Sequence, residues 1–285
     1  MRTIPVAASS ALADLLTGPV RAAEVLASGH RAAYLHVGGR VLAVVSDRAV
    51  APASSVLLPR GHDPQHLLPS GARVEVGHGL LTAAGGCLRV TRWFAPAGPT
   101  SGGVPDPRSL WTARDLLSCR VVEPQVREVR RLGDVAGRRL VGLAEGDPAQ
   151  VLDSILGRGP GLTPSGDDVT AGLMLAARAV FPDPTRVDRL SRQVLGLAIT
   201  ATTVVSRGML SDAAAGMCPV VVAAGLDALL RPYCPQSTPQ ALRELGAVGH
   251  TSGSDLLAGA LSVLEHVSSA TCPVGPPVSP RARTR

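Results

Sequence analysis

The sequence predicts an α+β protein, an N-terminal β-rich region of barrel or sandwich type followed by a mostly α-helical one. Three observations carry this. The first third holds paired apolar runs around glycine turns, a hairpin signature. Residues 95–109, "APAGPTSGGVPDPRS", are a run of loop formers. Beyond them the apolar residues recur at helical spacing. The expected division is a β-rich unit over 1–110, a helical unit over 111–267 and a disordered, basic, Pro-rich tail over 268–285.

Taken in order, residues 10–28 read as a leading helix. "AAYLHVGGRVLAVVS" is a hairpin about Gly38-Gly39, and "ARVEVGHGLLTAAGGCLRVTRWFAP" repeats the device with turns near Gly77 and Gly85-Gly86. After the linker, "AQVLDSILGRG" reads as a helix ending at Gly157, a residue able to supply a left-handed C-terminal cap. Further helices are expected over 167–181, 185–216 (one or two), 219–231 and 254–267.

Composition narrows the function. All 28 basic residues are arginine, so lysine chemistry is absent: no P-loop lysine, Schiff base or lysine general base. The net charge of +6 could suit nucleic acid, but aromatics are 2% and no recognition motif is present, so no nucleic-acid partner is expected. The cysteines at 87, 119, 218, 234 and 272 are odd in number and widely spaced, which fits reduced thiols in a cytoplasm. The opening residues do not resemble a signal peptide, and no run reaches about 18 uninterrupted apolar residues, so no membrane span is expected.

The chemistry is concentrated in two loops. "GPGLTPSGDD", residues 159–168, leads into the apolar run "VTAGLMLAARAV". "GHTSGSDLLAGALSVL" starts at Gly249. With Ser165 set on Ser252 the offset is 252 − 165 = 87, and Gly166, Asp168 and Gly172 then fall on Gly253, Asp255 and Gly259. Both copies read S-G-x-D-x-x-x-G before an apolar helix, a duplicated element.

In each copy the serine can cap the helix, and an aspartate in the first turn suits the positive end of the helix dipole. Gly172 and Gly259 lie four residues beyond Asp168 and Asp255, on the same face, where another helix or a ligand can approach closely. A plain helix cap would explain either loop alone. The adjacent Asp167 and Asp168 and the glycines at 157, 159, 161 and 166 exceed what a cap needs. Exposed amides at a helix mouth bind phosphate or carboxylate, and paired aspartates can hold Mg²⁺.

The candidate catalytic residues are therefore Asp167, Asp168, Asp255 and His250, the last as oxyanion donor or acid/base. Candidate substrate- or phosphate-binding residues are Gly159, Gly161, Thr163, Ser165, Gly166, Thr203, Ser206, Thr251, Ser252 and Gly253. Asp167 and Asp168 are the candidate metal ligands. Thr202, Thr203 and Ser206 can share one helical face, either toward the site or bonded back to their own helix, and Arg207 can meet a carboxylate or phosphate.

"GxGPGLTPSGDDxxxG", then "TTxxS", then "GHTSGxDxxxG" resembles the AllH-type subunit family of oxamate carbamoyltransferase, over roughly residues 20–268 and most strongly over 157–172 and 249–259. The resemblance implies a hetero-oligomeric enzyme of allantoin (purine) degradation that interconverts oxalurate and phosphate with oxamate and carbamoyl phosphate. It implies other subunits as partners and a small-molecule substrate with phosphate, and does not say which subunit is catalytic. Two other readings stay open. One is a non-catalytic ligand-binding or assembly subunit. The other is a Mg²⁺-dependent hydrolase of a phosphorylated or ADP-ribosyl compound, because ADP-ribosylglycohydrolases use a similar Asp-Asp device.

Overall fold

The computed structural model describes residues 3–271 apart from 49 and 121. Its first part is a closed eight-stranded barrel: β1 (Thr3–Ser9), β2 (Arg21–Ser28), β3 (Ala32–Val37), β4 (Arg40–Val45), β5 (Ser55–Leu57), β6 (Arg73–Gly77), β7 (Leu80–Ala83) and β8 (Gly86–Phe94). Around the ring the order is β1-β5-β4-β3-β2-β6-β7-β8. The β1/β8 and β4/β5 pairs are parallel, the others antiparallel.

Alternation writes the barrel. In β3, Ala33, Leu35 and Val37 are buried while their neighbours are only partly so. These residues join Val6, Val25, Leu42, Val74 and Leu88 in one interior core, so side chains fill a barrel of this size. The turn between β3 and β4 needs two left-handed residues, and Gly38 (φ 58°) and Gly39 (φ 78°) provide them.

The leading helix is much shorter than residues 10–28. It comprises one 3₁₀ turn (Ser10–Leu12) and α1 (Ala13–Thr17), and residues 21–28 are strand β2. "RAAEVLAS" has helix-forming composition, but it pairs with both β3 and β6 and closes the ring, so tertiary pairing overrides local propensity. A one-turn helix, α2 (Pro64–Leu67), lies between β5 and β6.

The second part is helical: α3 (Pro107–Ser118), α4 (Pro124–Val141), α5 (Pro148–Asp153), α6 (Ser165–Val180), α7 (Thr185–Ala201), α8 (Val204–Ala214), α9 (Val220–Leu229), α10 (Thr238–Gly246) and α11 (Ser252–Thr271). None of the described helices is long and apolar enough to cross a membrane. α5 stops at Asp153, short of Gly157, because tight turns through Ser154 and Ile155 carry the chain onward. α11 continues through residues 268–271, where a disordered tail was expected to begin; residues 272–285 lie outside the described part.

α6 is the central helix, buried on every side from Ser165 to Ala177, as expected of one without a polar face. It crosses α11 at two glycines. A Cβ on Gly172 would sit 1.9 Å from the Leu256 carbonyl oxygen, and one on Gly259 would sit 1.9 Å from the Val169 carbonyl oxygen. The offset of 87 maps Val169 onto Leu256 and Gly172 onto Gly259, so the crossing is reciprocal. α4 packs across the pair through Gly133, against the Val169 side chain, and Gly137, against the Ser262 carbonyl.

The barrel seats on α8 and the chain after it. Gly208 faces Val41 of β4 so closely that a Cβ would come within 2.9 Å of the Val41 Cβ. Asp212 accepts hydrogen bonds from the Ser54 amide (3.0 Å) and hydroxyl (2.7 Å). Ala97 of the linker forms a bridge with Cys218.

A Gly259→Ala protein should lose about 3 kcal/mol or more of stability, since backbone cannot yield to the new methyl. Gly196→Ala in α7, where a Cβ meets nothing within 4 Å, should be neutral or gain up to about 1 kcal/mol. Denaturant unfolding of both checks the contrast.

Candidate functional site

Helices α6 and α11 begin side by side. Their approach loops share a plan: a Cβ on Gly166 would strike the Ile155 carbonyl oxygen at 1.8 Å, and one on Gly253 the Leu245 carbonyl oxygen at 1.9 Å. Thr163 and Ser252 link the two mouths through their hydroxyls at 3.0 Å. The serines are not caps. Pro164 precedes α6 with no side-chain cap, Ser165 is already helical with its hydroxyl unpartnered, and Ser252 bonds across to the other loop.

The adjacent aspartates have opposite tasks. Asp167 is buried and saturated. One oxygen accepts the Gly157 amide at 2.8 Å, and the other accepts the hydroxyls of Thr202 and, at 2.6 Å, Ser206. It ties the glycine loop to the α7–α8 junction. Thr202 and Ser206 meet there although they share no helix: the chain breaks between α7 and α8, and Thr203 caps α8 by accepting the Ser206 amide at 3.0 Å. Thr203 also donates to the Leu162 carbonyl at 2.6 Å, holding the same loop. Among the described residues Arg207 reaches only the Ile199 carbonyl, at 3.4 Å.

Asp168 is 1% exposed, and neither oxygen receives a hydrogen bond of good geometry. Burial holds its carboxyl well above the ordinary value of 3.8; the charges of Asp255 and Asp167 push the same way, and the nearby Ser252 and Thr163 hydroxyls only partly oppose them. Asp168 is among the residues lining a cavity of about 320 Å³ between the barrel and the helices. Tyr34 of β3 lines the barrel side, its hydroxyl pKa raised by burial and by the Asp168 charge. Arg31 is the one cation among the lining residues, and it makes no ion pair among the described residues. Val45, Leu175, Val222 and Leu256 give apolar walls. Asp212 also lines the cavity, with its pKa raised by burial. Cys218 does too, and burial pushes its thiol up to about 12, which disfavours the thiolate.

Asp255, the partner of Asp168 in the repeat, is fully buried and paired with Arg130 of α4. The Arg130 Nε and terminal nitrogen each lie 2.8 Å from the same carboxylate oxygen. It lies behind the cavity wall rather than on it.

Of the sequence-predicted residues, Thr163, Asp168, Ser252 and Gly253 line the cavity. Asp167, Ser165, Gly166, Thr203 and Ser206 build the loops behind it. Gly159, Gly161 and Thr251 belong to those loops outside the lining, and His250 is exposed outside it. Of the two candidate metal ligands, Asp167 has its oxygens committed to three donors, and the described residues contain no group of three or more metal-binding side chains. Sequence reasoning missed Arg31, Tyr34 and Asp212, which come together only when the barrel docks.

Residues 155–264 match the model of the family described as oxamate carbamoyltransferase subunit AllH. The match spans both loops, α6, α8 and most of α11, and excludes the barrel. No solved structure matches the chain.

The raised pKa of Asp168 gives a signed prediction. A carboxyl that binds its proton more tightly folded than unfolded loses stability as pH rises from its unfolded value, 3.8, toward its folded one. Asp168→Asn removes that loss. Its melting temperature should exceed the parent's near neutral pH, and the advantage should shrink as pH falls toward about 4. Thermal melts across pH check this.

Proposed function

We propose that this chain is a subunit of an oxamate carbamoyltransferase-like enzyme acting in allantoin (purine) catabolism, and that the barrel–helix cavity takes the carbamoyl substrate. The observation that carries the proposal is Asp168, a buried carboxyl whose hold on its proton is raised by burial, among the residues lining a small cavity at the mouths of two helices. The family match over 155–264 supports the reaction class.

The reaction needs a proton donor. A phosphate oxygen attacks the carbamoyl carbon of oxalurate, the carbon–nitrogen bond breaks, and the departing oxamate nitrogen takes a proton. Asp168 supplies it and takes back the proton that the hydrogen phosphate gives up as its oxygen bonds to carbon, so the acid is restored; the reverse direction runs the same transfers backward. The Ser252 and Thr163 hydroxyls meet the carbamoyl oxygen as charge develops on it. Arg31 at the rim suits the substrate carboxylate. The apolar walls keep out water that would hydrolyse carbamoyl phosphate.

The charge balance also supports partner subunits. Oxalurate and phosphate bring several negative charges, against one lining arginine. Further cations are then supplied by another subunit closing over the cavity. The magnesium hydrolase reading has less support, because Asp167 is spent on the loop.

The test is phosphate-dependent carbamoyl transfer by the complex reconstituted with its candidate partner subunits. Asp168→Asn should lower kcat about 100-fold or more while the complex stays intact by size exclusion. Parental turnover in that variant would refute the role. Loss of the complex would favour an assembly role instead.

A further inference from the structure

A second cavity, of about 470 Å³, opens on the barrel at β1 and its neighbours β5 and β8, and shares no lining residue with the first. Its composition departs from that of the chain as a whole. The protein has only two Trp, two Tyr and two Phe, yet Trp93 and Phe94 both line this one hollow. Arg48, Arg60 and Arg92 line it with them, against a single acid, Asp47. The three arginines are exposed and enter no ion pair among the described residues.

Such side chains have a chemical complement. Trp93 leaves 44% of its surface in solvent, although an indole gains by covering that surface. The Arg48 guanidinium already lies 5.8 Å from the centre of the Phe94 ring, the geometry of a cation–π pair, which directs that arginine into the hollow. Unpaired guanidiniums bind phosphate oxygens in planar, two-pronged fashion. A flat heteroaromatic ring stacks on indole whatever its pattern of polar edges.

We propose that this cavity binds a nucleoside phosphate, with the base stacked on Trp93 and the phosphate among Arg48, Arg60 and Arg92. A simple anion would leave the indole uncovered, and an uncharged nucleoside would leave the arginines without counter-charge. A hollow of about 470 Å³ has the size of one small ligand rather than of a continuous strand. The site is separate from the carbamoyl cavity and stands whether or not that reading holds.

The test uses the full chain carrying Trp111→Phe, an exposed position, so that Trp93 is the one tryptophan left. AMP and GMP should each change its fluorescence saturably. Adenosine and inorganic phosphate should bind at least about tenfold more weakly. Arg60→Gln with Arg92→Gln should weaken AMP about tenfold or more with the melting temperature unchanged. No response to either nucleotide would overturn the proposal. So would inorganic phosphate binding as well as AMP, or a short oligoribonucleotide binding far more tightly than AMP, which would indicate an anion patch or a strand-binding groove.

Discussion

The close crossing of α6 and α11 is the contact on which the rest of the molecule depends. Each helix presents a glycine to a backbone carbonyl of the other, at a distance no side chain could occupy. Helices separated by ordinary side chains pack about 8–10 Å apart. The glycines remove that spacer and let two helix starts share one cavity wall. The bond between Thr163 and Ser252 follows from that approach, as does the mutual electrostatic influence of Asp168 and Asp255. The S-G-x-D-x-x-x-G pattern thus couples a structural requirement at its last glycine to a chemical one at its aspartate.

Within this frame, four buried acids are handled differently, and the differences assign their roles. Asp167 accepts three hydrogen bonds and fixes the loop. Asp255 is matched by Arg130. Asp212 is taken up by Ser54 and fastens the barrel to α8. Asp168 alone has no such satisfaction among the described residues, and it belongs to the lining of the cavity. Burying an ionised carboxylate with no partner is costly, so the group favours its proton. A carboxylic acid held neutral can donate where a carboxylate could only accept.

Much of this was legible in the sequence. The Gly38-Gly39 hairpin could be read because only particular residues tolerate that turn. The repeat at offset 87 could be read because glycine, serine and aspartate recur in register before an apolar run. Helix α4 was harder: its buried positions Val126, Val129, Ala136 and Leu140 keep helical spacing, but they lie among arginines, and Gly133 and Gly137 suggest breaks. They are instead points of close approach. Strand β2 was read as helix because its alternation, with Ala23 and Val25 buried, is short and its residues favour helix. The barrel side of the cavity had no local signature, since Arg31, Tyr34 and Asp212 join only through docking. Nor could residue types alone separate saturated Asp167 from unsatisfied Asp168.

The proposed chemistry rests on Asp168 keeping its proton near neutral pH. Difference infrared spectroscopy of the parent against Asp168→Asn, with the chain otherwise intact, tests it most directly. The account predicts a protonated carboxyl band near neutral pH that disappears in the variant. A carboxylate band lost in its place would contradict the claim and remove the proton donor on which the proposed chemistry rests.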